Sequence, residues 1–319
     1  MTGARALVTG GAGFIGSHVC EALAGAGYAV TALDDLSTGR REHVPAGTTL
    51  EVLDVRSAEA AALVRTGGFD VVCHLAAQMD VRKSVADPVA DADRNIIGTL
   101  NLLEAVRAAS RRPRFVFSST GGAVYGDFVD PPSDEAQAKD PEAPYGIAKL
   151  AVEYYLSYYG RVHGIEVATL RYANVYGPRQ NPHGEAGVVA IFCQRLLANQ
   201  ALTVFGDGRQ TRDYVFVGDV ARANVLAART ALPPAGRVDD RAFNIGTGVP
   251  TSVLDLASAL QSVAGAAARV QHAPARAGEQ QRSFVRIEKA ARLLDWRPSV
   301  TLADGLRMTY EWFRRTHAA

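Results

Sequence analysis

Short apolar runs alternate with helical patterns through the first half of the chain. ARALVTG (4–10), YAVTALDD (28–35), TTLEVLDV (48–55), DVVCHLAA (70–77), RFVFSST (114–120) and IEVATLRY (165–172) are nearly continuous in Val, Leu, Ile and Ala. Runs that do not alternate with polar residues are the pattern of parallel strands buried on both faces. Between them, SHVCEALAGAG (17–27) and RNIIGTLNLLEAVRAAS (94–110) read as helices. Repeated strand–helix–strand units predict an α/β fold, a doubly wound parallel sheet of the Rossmann kind.

The regularity breaks after Tyr176, where GPRQNPHGEAG (177–187) reads as a loop. A helix near 187–199 and the strand ALTVFG (201–206) follow. A helix near 219–230 and the strand RAFNIG (241–246) are expected to return to the main sheet. A helix over 252–264, the strand RVQHA (269–273) and amphipathic helices near 286–295 and 302–315 suit a smaller mixed lobe. The expected division is 1–177 plus about 219–246 for the large unit, and about 178–218 plus 247–319 for the small one.

Composition changes this picture little. A formal charge of +1 over 319 residues gives no field that favours nucleic acid or a membrane surface. Only Lys83, Lys139, Lys149 and Lys289 are lysines, and a high-GC coding bias accounts for the arginine excess. Cys20, Cys73 and Cys193 are odd in number and far apart, so neither a disulfide framework nor a metal site is expected. Cys73, in an apolar run, reads as a small buried thiol. The chain enters a strand almost at once and has no apolar stretch of membrane-spanning length, so a cytoplasmic protein is expected.

The chemistry begins at the first strand–helix junction. Gly10, Gly13 and Gly16 form G-x-x-G-x-x-G there, where a tight turn and close backbone approach serve a pyrophosphate. The amides of the following helix face the phosphates with the positive end of its dipole. Asp34 ends the second strand 18 residues past Gly16, near the spacing of the acid that binds ribose hydroxyls. Its carboxylate repels a 2′-phosphate, and Asp35 rather than an arginine follows it, which favours NAD over NADP. Asp54 and Val55 would flank the adenine; Leu75, Ala76 and Ala77 would line the floor beside the nicotinamide ribose.

Tyr145 and Lys149 form Y-x-x-x-K, which on a helix places both side chains on one face. A nearby ammonium can lower the phenol pKa so that Tyr145 acts as a base while the adjoining C–H leaves as hydride. Lys149 can also hold the nicotinamide ribose. The fifth strand ends in SSTGGAVYG (118–126) at the carboxyl edge where open α/β sheets bind ligands. Thr120 first, and Ser119 second, would bridge the reacting hydroxyl to Tyr145.

TGGAGFIGSH, HLAAQMDVRKSV, FSSTGGAVYG, PYGIAK, LRYANVYGPRQ, VFGDGRQTRDYVFVGDV and FNIGTG together resemble the nucleotide-sugar branch of the extended short-chain dehydrogenases. In order and spacing they are most similar to bacterial UDP-glucose 4-epimerases, over nearly the whole chain. The resemblance implies Thr120, Tyr145 and Lys149 as a catalytic triad. It adds Phe14, Ile15, Ser37 and Gly39 to the cofactor contacts. It implies Asn174 as a ligand of the substrate diphosphate, and Arg212 and Arg276 as binders of the UDP phosphates, which guanidinium forks suit. The segments VVAIF (188–192) and LTVFG (202–206), with Val188, Val189, Val204 and Phe205, would contact uracil and ribose. Glu279, Ser283 and Arg286 depart from the family pattern around the UDP pocket.

The implied activity is epimerisation at C4 of a UDP-hexose. The 4,6-dehydratases carry a T-D-E run where Thr120-Gly121-Gly122 stands, and decarboxylating relatives carry Ser-Glu; two glycines cannot act as acid and base. A reductase and a non-catalytic NAD-binding regulator are the other readings, the latter opposed by the presence of both Tyr145 and Lys149. The sugar stays open: UDP-glucose with UDP-galactose, UDP-glucuronate with UDP-galacturonate if Arg179 meets a C6 carboxylate, or an acetamido sugar. Relatives pair through helices matching 94–110 and 145–160, so a homodimer is expected. Tyr154, Tyr155, Tyr158 and Tyr159 enrich the second of these.

Overall fold

The computed structural model describes residues 3–127, 130–182, 187–275 and 280–317. Its first half runs β1 (Arg5–Thr9), α1 (Phe14–Gly25), β2 (Ala29–Asp34), β3 (Thr49–Val52), α2 (Ala58–Thr66), β4 (Val71–His74), α3 (Val81–Ala86) and α4 (Pro88–Ala92). A π-helical turn, Asp93–Ile97, leads into α5 (Gly98–Ala108), β5 (Arg114–Thr120), α6 (Pro144–His163) and β6 (Val167–Tyr172). Then come β7 (Asn174–Tyr176), α7 (Val188–Leu197), β8 (Leu202–Phe205), β9 (Thr211–Phe216), α8 (Val217–Arg229) and β10 (Ala242–Ile245). The chain continues through β11 (Pro250–Ser252), α9 (Val253–Ala264), β12 (Val270–Ala273), β13 (Arg282–Ser283), α10 (Glu288–Leu293) and α11 (Leu302–His317).

Seven parallel strands form the main sheet in the order β10-β6-β5-β4-β1-β2-β3. Successive strand residues point to opposite faces, and both faces are packed. On one, Val8, Ala32, Cys73, Val116 and Phe243 meet Val19 and Leu23 of α1 and Val220 and Ala223 of α8. On the other, Leu7, Leu33, Val72 and Phe115 meet Val64 of α2, Leu102 and Val106 of α5, and Val152 and Leu156 of α6. The strand order reverses between β1 and β4, and an open α/β sheet offers its ligand crevice at that switch point.

The strand at 241–246 and the helix before it do return to the main sheet: β10 pairs with β6. The small lobe holds a four-stranded sheet of β11, β9, β13 and β7, and the parallel pair β8–β12. Its core joins Phe192 and Leu196 of α7 to Leu256 and Leu260 of α9 and Leu306 and Phe313 of α11. One segment differs from the expected division. Ala290 and Leu294, with Trp296 beyond α10, are fully buried in the main-sheet core, although 247–319 reads as small-lobe sequence. Trp296 Nε1 donates to Asp219 O (2.9 Å), which ties this segment to α8. Among the described residues no helix is long and apolar enough to cross a membrane.

Candidate active site

The glycine loop is built for a ligand that comes close to backbone. Gly10 has φ +70°, and a β-carbon on it would fall 2.8 Å from Ala76 N. A β-carbon on Gly16 would collide with Gly10 O, so helix α1 can sit on β1 only with glycine there. α1 has no acidic residue in its first turn and no side-chain cap, which leaves the amides of Phe14 and Ile15 open to an anion, while Gly13 N donates to Gly10 O (3.0 Å) and closes the turn. Gly11, which the motif reading passed over, is equally constrained: its β-carbon would fall 2.6 Å from that of Ala32.

Asp34 ends β2 beside this loop, almost fully buried. Its carboxylate accepts from Ala12 N (3.0 Å) and Leu36 N (2.9 Å), which couples the acid to the glycine turn. Burial raises its pKa, against the pull of those two amides. Each oxygen keeps a lone pair for a ribose hydroxyl. Gly39 packs on the same carboxylate, where a β-carbon would fall 2.6 Å from Asp34 Oδ1. Asp35 is exposed and accepts from Ser37 N and Oγ (2.9 and 2.6 Å). Asp54 is bound by Arg56, whose hydrogen bonds hold its carboxyl below the usual range. Val55 follows it, and Leu75, Ala76 and Ala77 lead out of β4, with Leu75 and Ala76 donating to Thr9 Oγ1 (3.2 Å each). A dinucleotide fits this cradle: the turn rejects side chains where the pyrophosphate would lie, and a buried acid waits at the ribose position.

α6 carries Tyr145 and Lys149. Pro144 opens the helix, where a missing N–H costs nothing, and Gly164 closes it at φ +66°. Lys149 is buried; its Nζ donates to Ser118 O (2.8 Å) and lies 4.6 Å from the Phe117 ring and 5.8 Å from the Tyr145 ring. Burial pulls its pKa down to about 8, opposed by Asp91 and Glu153. Tyr145 moves the other way from the sequence expectation: burial, then the Asp91 charge, pushes its phenol above the ordinary value. The Lys149 ammonium is spent on a carbonyl and a ring face and does not outweigh desolvation.

Thr120 ends β5, and Asn174 opens β7 two residues beyond β6. A β-carbon on Gly122 would lie 3.8 Å from Thr120 Oγ1 and 3.8 Å from Asn174 Oδ1, so the two polar groups flank one open space. Arg212 lies on β9, in register with Ser283 of β13 and Thr251 of β11, and its Nη1 donates to Thr211 O (2.9 Å). The β7–β9 pairing sets Asn174 opposite Tyr214.

A family model described as the NAD dependent epimerase/dehydratase family matches residues 6–246. The chain is 43% identical over 315 residues to a UDP-glucose 4-epimerase of Mycolicibacterium smegmatis, covering 97% of this chain and 98% of that protein. It superposes with TM-score 0.92 on a UDP-glucose 4-epimerase of Thermotoga maritima solved with UDP-glucose, at 43% identity over 98% and 99% of the two chains. The UDP-glucose 4-epimerase of Thermus thermophilus solved with NAD gives 0.89 at 44% identity, over 97% and 99%. The chain belongs to the NAD dependent epimerase/dehydratase family.

Several expected contacts of this family member sit elsewhere. Ser119 faces away from Thr120, because neighbours on a strand point oppositely; it is buried and donates to Glu153 Oε1 (2.5 Å). Val189 and Val204 are buried in the small-lobe core, whereas Val188 and Phe205 remain partly exposed. Arg179, at φ +69°, donates to Ser17 Oγ (3.0 Å) and pairs with Glu21 Oε1 (2.5 Å). It therefore locks the 177–180 turn to α1 and does not stand free for a sugar carboxylate. Arg276 and Glu279 lie outside the described residues. Arg286 is exposed and Ser283 is buried.

Sequence reasoning passed over a second polar layer in this epimerase/dehydratase scaffold. His74 hydrogen-bonds Thr9 Oγ1 (2.6 Å) and Thr99 Oγ1 (2.9 Å), and burial lowers its pKa to about 3, so it is neutral. Gln78, Asp91 and Asn95 form a cluster under the loop after β4. Glu153 meets buried Arg171 Nη2 at 2.6 Å. For Asp91, Asn95 and Glu153 the signal was thin, since polar residues within helical runs look like solvent-facing positions, and His74 and Arg171 are single polar residues in otherwise apolar strands.

Proposed function

We propose that the protein is an NAD-dependent UDP-hexose 4-epimerase that interconverts UDP-glucose and UDP-galactose. The observation that carries this is the open space over Gly122, flanked by Thr120 and Asn174 beside the Tyr145–Lys149 pair, with no carboxylate where a dehydratase places its acids. NAD when bound supplies a hydride acceptor that can return the hydride, and a positive ring that favours a phenolate nearby. The residues around Gly10, Gly13, Phe14, Ile15 and Gly16 hold its diphosphate; Asp34 holds the adenosine ribose, and Lys149 the other. Asp35, Ser37, Gly39, Asp54, Val55, Leu75, Ala76 and Ala77 complete the walls.

Tyr145 takes the proton of the C4 hydroxyl, and Thr120 bridges the two oxygens. Lys149 keeps a positive charge that favours the phenolate form able to take this proton, and the transfer leaves Tyr145 a neutral phenol. Asn174 and Arg212, with Arg276, bind the UDP diphosphate and act as the fixed anchor while Val188 and Phe205 line the nucleoside. With the diphosphate held, the 4-keto sugar can turn over Gly122 and present its other face. Tyr145 then returns the proton.

Arg179 is engaged by Glu21 and Ser17, which favours a neutral hexose over a uronate. Incubating the purified protein with each UDP-sugar and resolving products by chromatography is the test. Interconversion of UDP-glucose and UDP-galactose without net NADH is expected; turnover of UDP-glucuronate alone would reject the sugar assignment.

The enzyme is a homodimer in this reading. Exposed Val85 and Val89 of α3 and α4, Ile97, and Ile147, Tyr154, Tyr155, Tyr158 and Val162 of α6 supply the apolar surface. Three free, buried cysteines suit the reducing cytoplasm.

A further inference from the structure

Asp91 lies on α4, only 2% exposed. Its Oδ1 accepts from Gln78 Nε2 (2.9 Å) and Asn95 Nδ2 (3.0 Å), both neutral amides. Its Oδ2 is buried with no hydrogen-bond partner. Asn95 is fixed in turn: Nδ2 donates to Gln78 O (2.9 Å) and Oδ1 accepts from Gln78 N (2.9 Å). The π-helical turn Asp93–Ile97 follows directly, and such wide turns recur at functional sites. α4 packs against α6, which carries Tyr145 and Lys149. Tyr145 N also donates to Ser84 Oγ of the adjoining α3 (3.3 Å).

The other ionisable groups facing Lys149 carry little net charge. Glu153, one turn along α6, also raises the Lys149 pKa, after Asp91, but it accepts from Arg171 Nε and Nη2 (3.1 and 2.6 Å) and from Ser119 Oγ, so its charge is shared with a buried guanidinium that also meets Asp239. His74 of β4 is neutral, its pKa lowered to about 3 by burial and by Lys149 itself. Tyr145 is a protonated phenol in the protein alone. Among the described residues no Lys, Arg or His bonds to Asp91, whose charge acts on both Tyr145 and Lys149. A charge left in low dielectric without a partner acts strongly on its neighbours.

We propose that Asp91 is the counter-charge of the Tyr145–Lys149 pair, a positioning residue that keeps the Lys149 ammonium charged in its buried site. It acts through Lys149 and does not touch substrate. Through Gln78 and Asn95 it also steadies the loop leaving β4. The activity consequence rests on the epimerase reading; the charge itself does not.

The chain has four lysines, so the Cε-labelled lysine NMR spectrum of the whole protein holds four resonances. Asp91→Asn is expected to lower the Lys149 titration midpoint, about 8 in the native protein, by about one pH unit. Lys83, Lys139 and Lys289 should not move, and Asp91→Glu should keep the native midpoint. Asp91→Ser, a smaller neutral side chain, replaces Asp91→Asn if that variant does not fold. In sugar turnover, both limbs of the pH profile should shift to lower pH, because Asp91 favours the ammonium and disfavours the phenolate. A purely structural role would lower the rate without moving the limbs. An unchanged or raised Lys149 midpoint in a folded neutral variant overturns the proposal. The lysine titration needs no sugar, so it stays decisive even if the native protein interconverts none.

Discussion

Val285 lies directly over Gly121: a β-carbon at 121 would fall 3.0 Å from Val285 Cγ1 and 3.2 Å from Arg171 O. At Gly122 the nearest atoms to such a carbon, Asn174 Oδ1 and Thr120 Oγ1, are 3.8 Å away. Two adjacent glycines therefore serve different ends, one packing and the other access.

Substitution separates them. Gly121→Ala should destabilise the fold by about 1–3 kcal/mol through overpacking, and Val285→Ala should recover much of that loss in the double variant. Gly122→Ala should melt like the native protein yet lose about tenfold or more in turnover, because its methyl enters the space where the sugar must turn. Thermal denaturation and UDP-sugar kinetics on the same samples read both effects. Native turnover in Gly122→Ala would remove that space from the mechanism.

Tyr145→Phe should keep NAD and UDP binding while losing turnover by about 10²–10⁴-fold, the usual worth of a positioned acid–base group. The ring fills space and only the oxygen is removed. Near-native epimerisation by the variant would show that the proton goes elsewhere.

Lys149 gives a pH dependence with a defined sign. Its pKa is depressed to about 8, so the ammonium of the cofactor-free protein is present below that pH and lost above it. NAD affinity should fall as pH rises through 8, since the ammonium is the stronger donor to a ribose hydroxyl, and Lys149→Met should abolish that slope. Titration calorimetry on either side of pH 8 decides; a flat native profile contradicts the role.

The main sheet was legible because its inner strands are buried on both faces and so carry nearly continuous Val, Leu and Ile runs. β7, β11 and β13 span two or three residues with no apolar run to mark them. β9, TRDYVF, carries a buried acid in mid-strand, Asp213, which accepts from Thr247 N and Gly248 N of the turn after β10 and so breaks the apolar run. The sequence of α10 suits the small lobe, while its buried Ala290 and Leu294 join the main-sheet core, because amphipathicity shows that a helix has a buried face without saying which core receives it. At the site, spacing placed Tyr145 and Lys149 on one helix and Thr120 at a strand end. It did not reveal the direction of the Tyr145 shift, which burial and Asp91 set from elements distant in sequence. The sequence alone offers both Ser119 and Thr120, and strand alternation turns Ser119 toward Glu153.

Tyr154, Tyr155 and Tyr158 are 57%, 41% and 43% exposed on α6, while Tyr159 is buried and donates to Glu104 Oε1 (2.5 Å). Three aromatic rings left in water on the helix opposite the sheet suit a partner surface. A homodimer by light scattering at micromolar concentration is expected, and Tyr155→Glu with Tyr158→Glu should give a folded monomer. A native protein of monomeric mass would reject the interface.

The course of the hydride discriminates best between epimerase and dehydratase. Thr120 is followed by Gly121 and Gly122, so no carboxyl group stands ready to draw a C5 proton or drive water from C6. Tyr145 can move a proton at the C4 oxygen, and the keto sugar that results has only one route onward, reduction at C4. Deuterium placed at C4 of UDP-glucose should therefore return to C4, now on the opposite face, with no NADH released to solution. A dehydratase would carry the label to C6 and leave a stable keto sugar. NMR of the products of C4-deuterated UDP-glucose separates these outcomes in one experiment. Label at C6, or NADH rising in step with product, would overturn the epimerase reading while leaving the fold and the cofactor cradle as described.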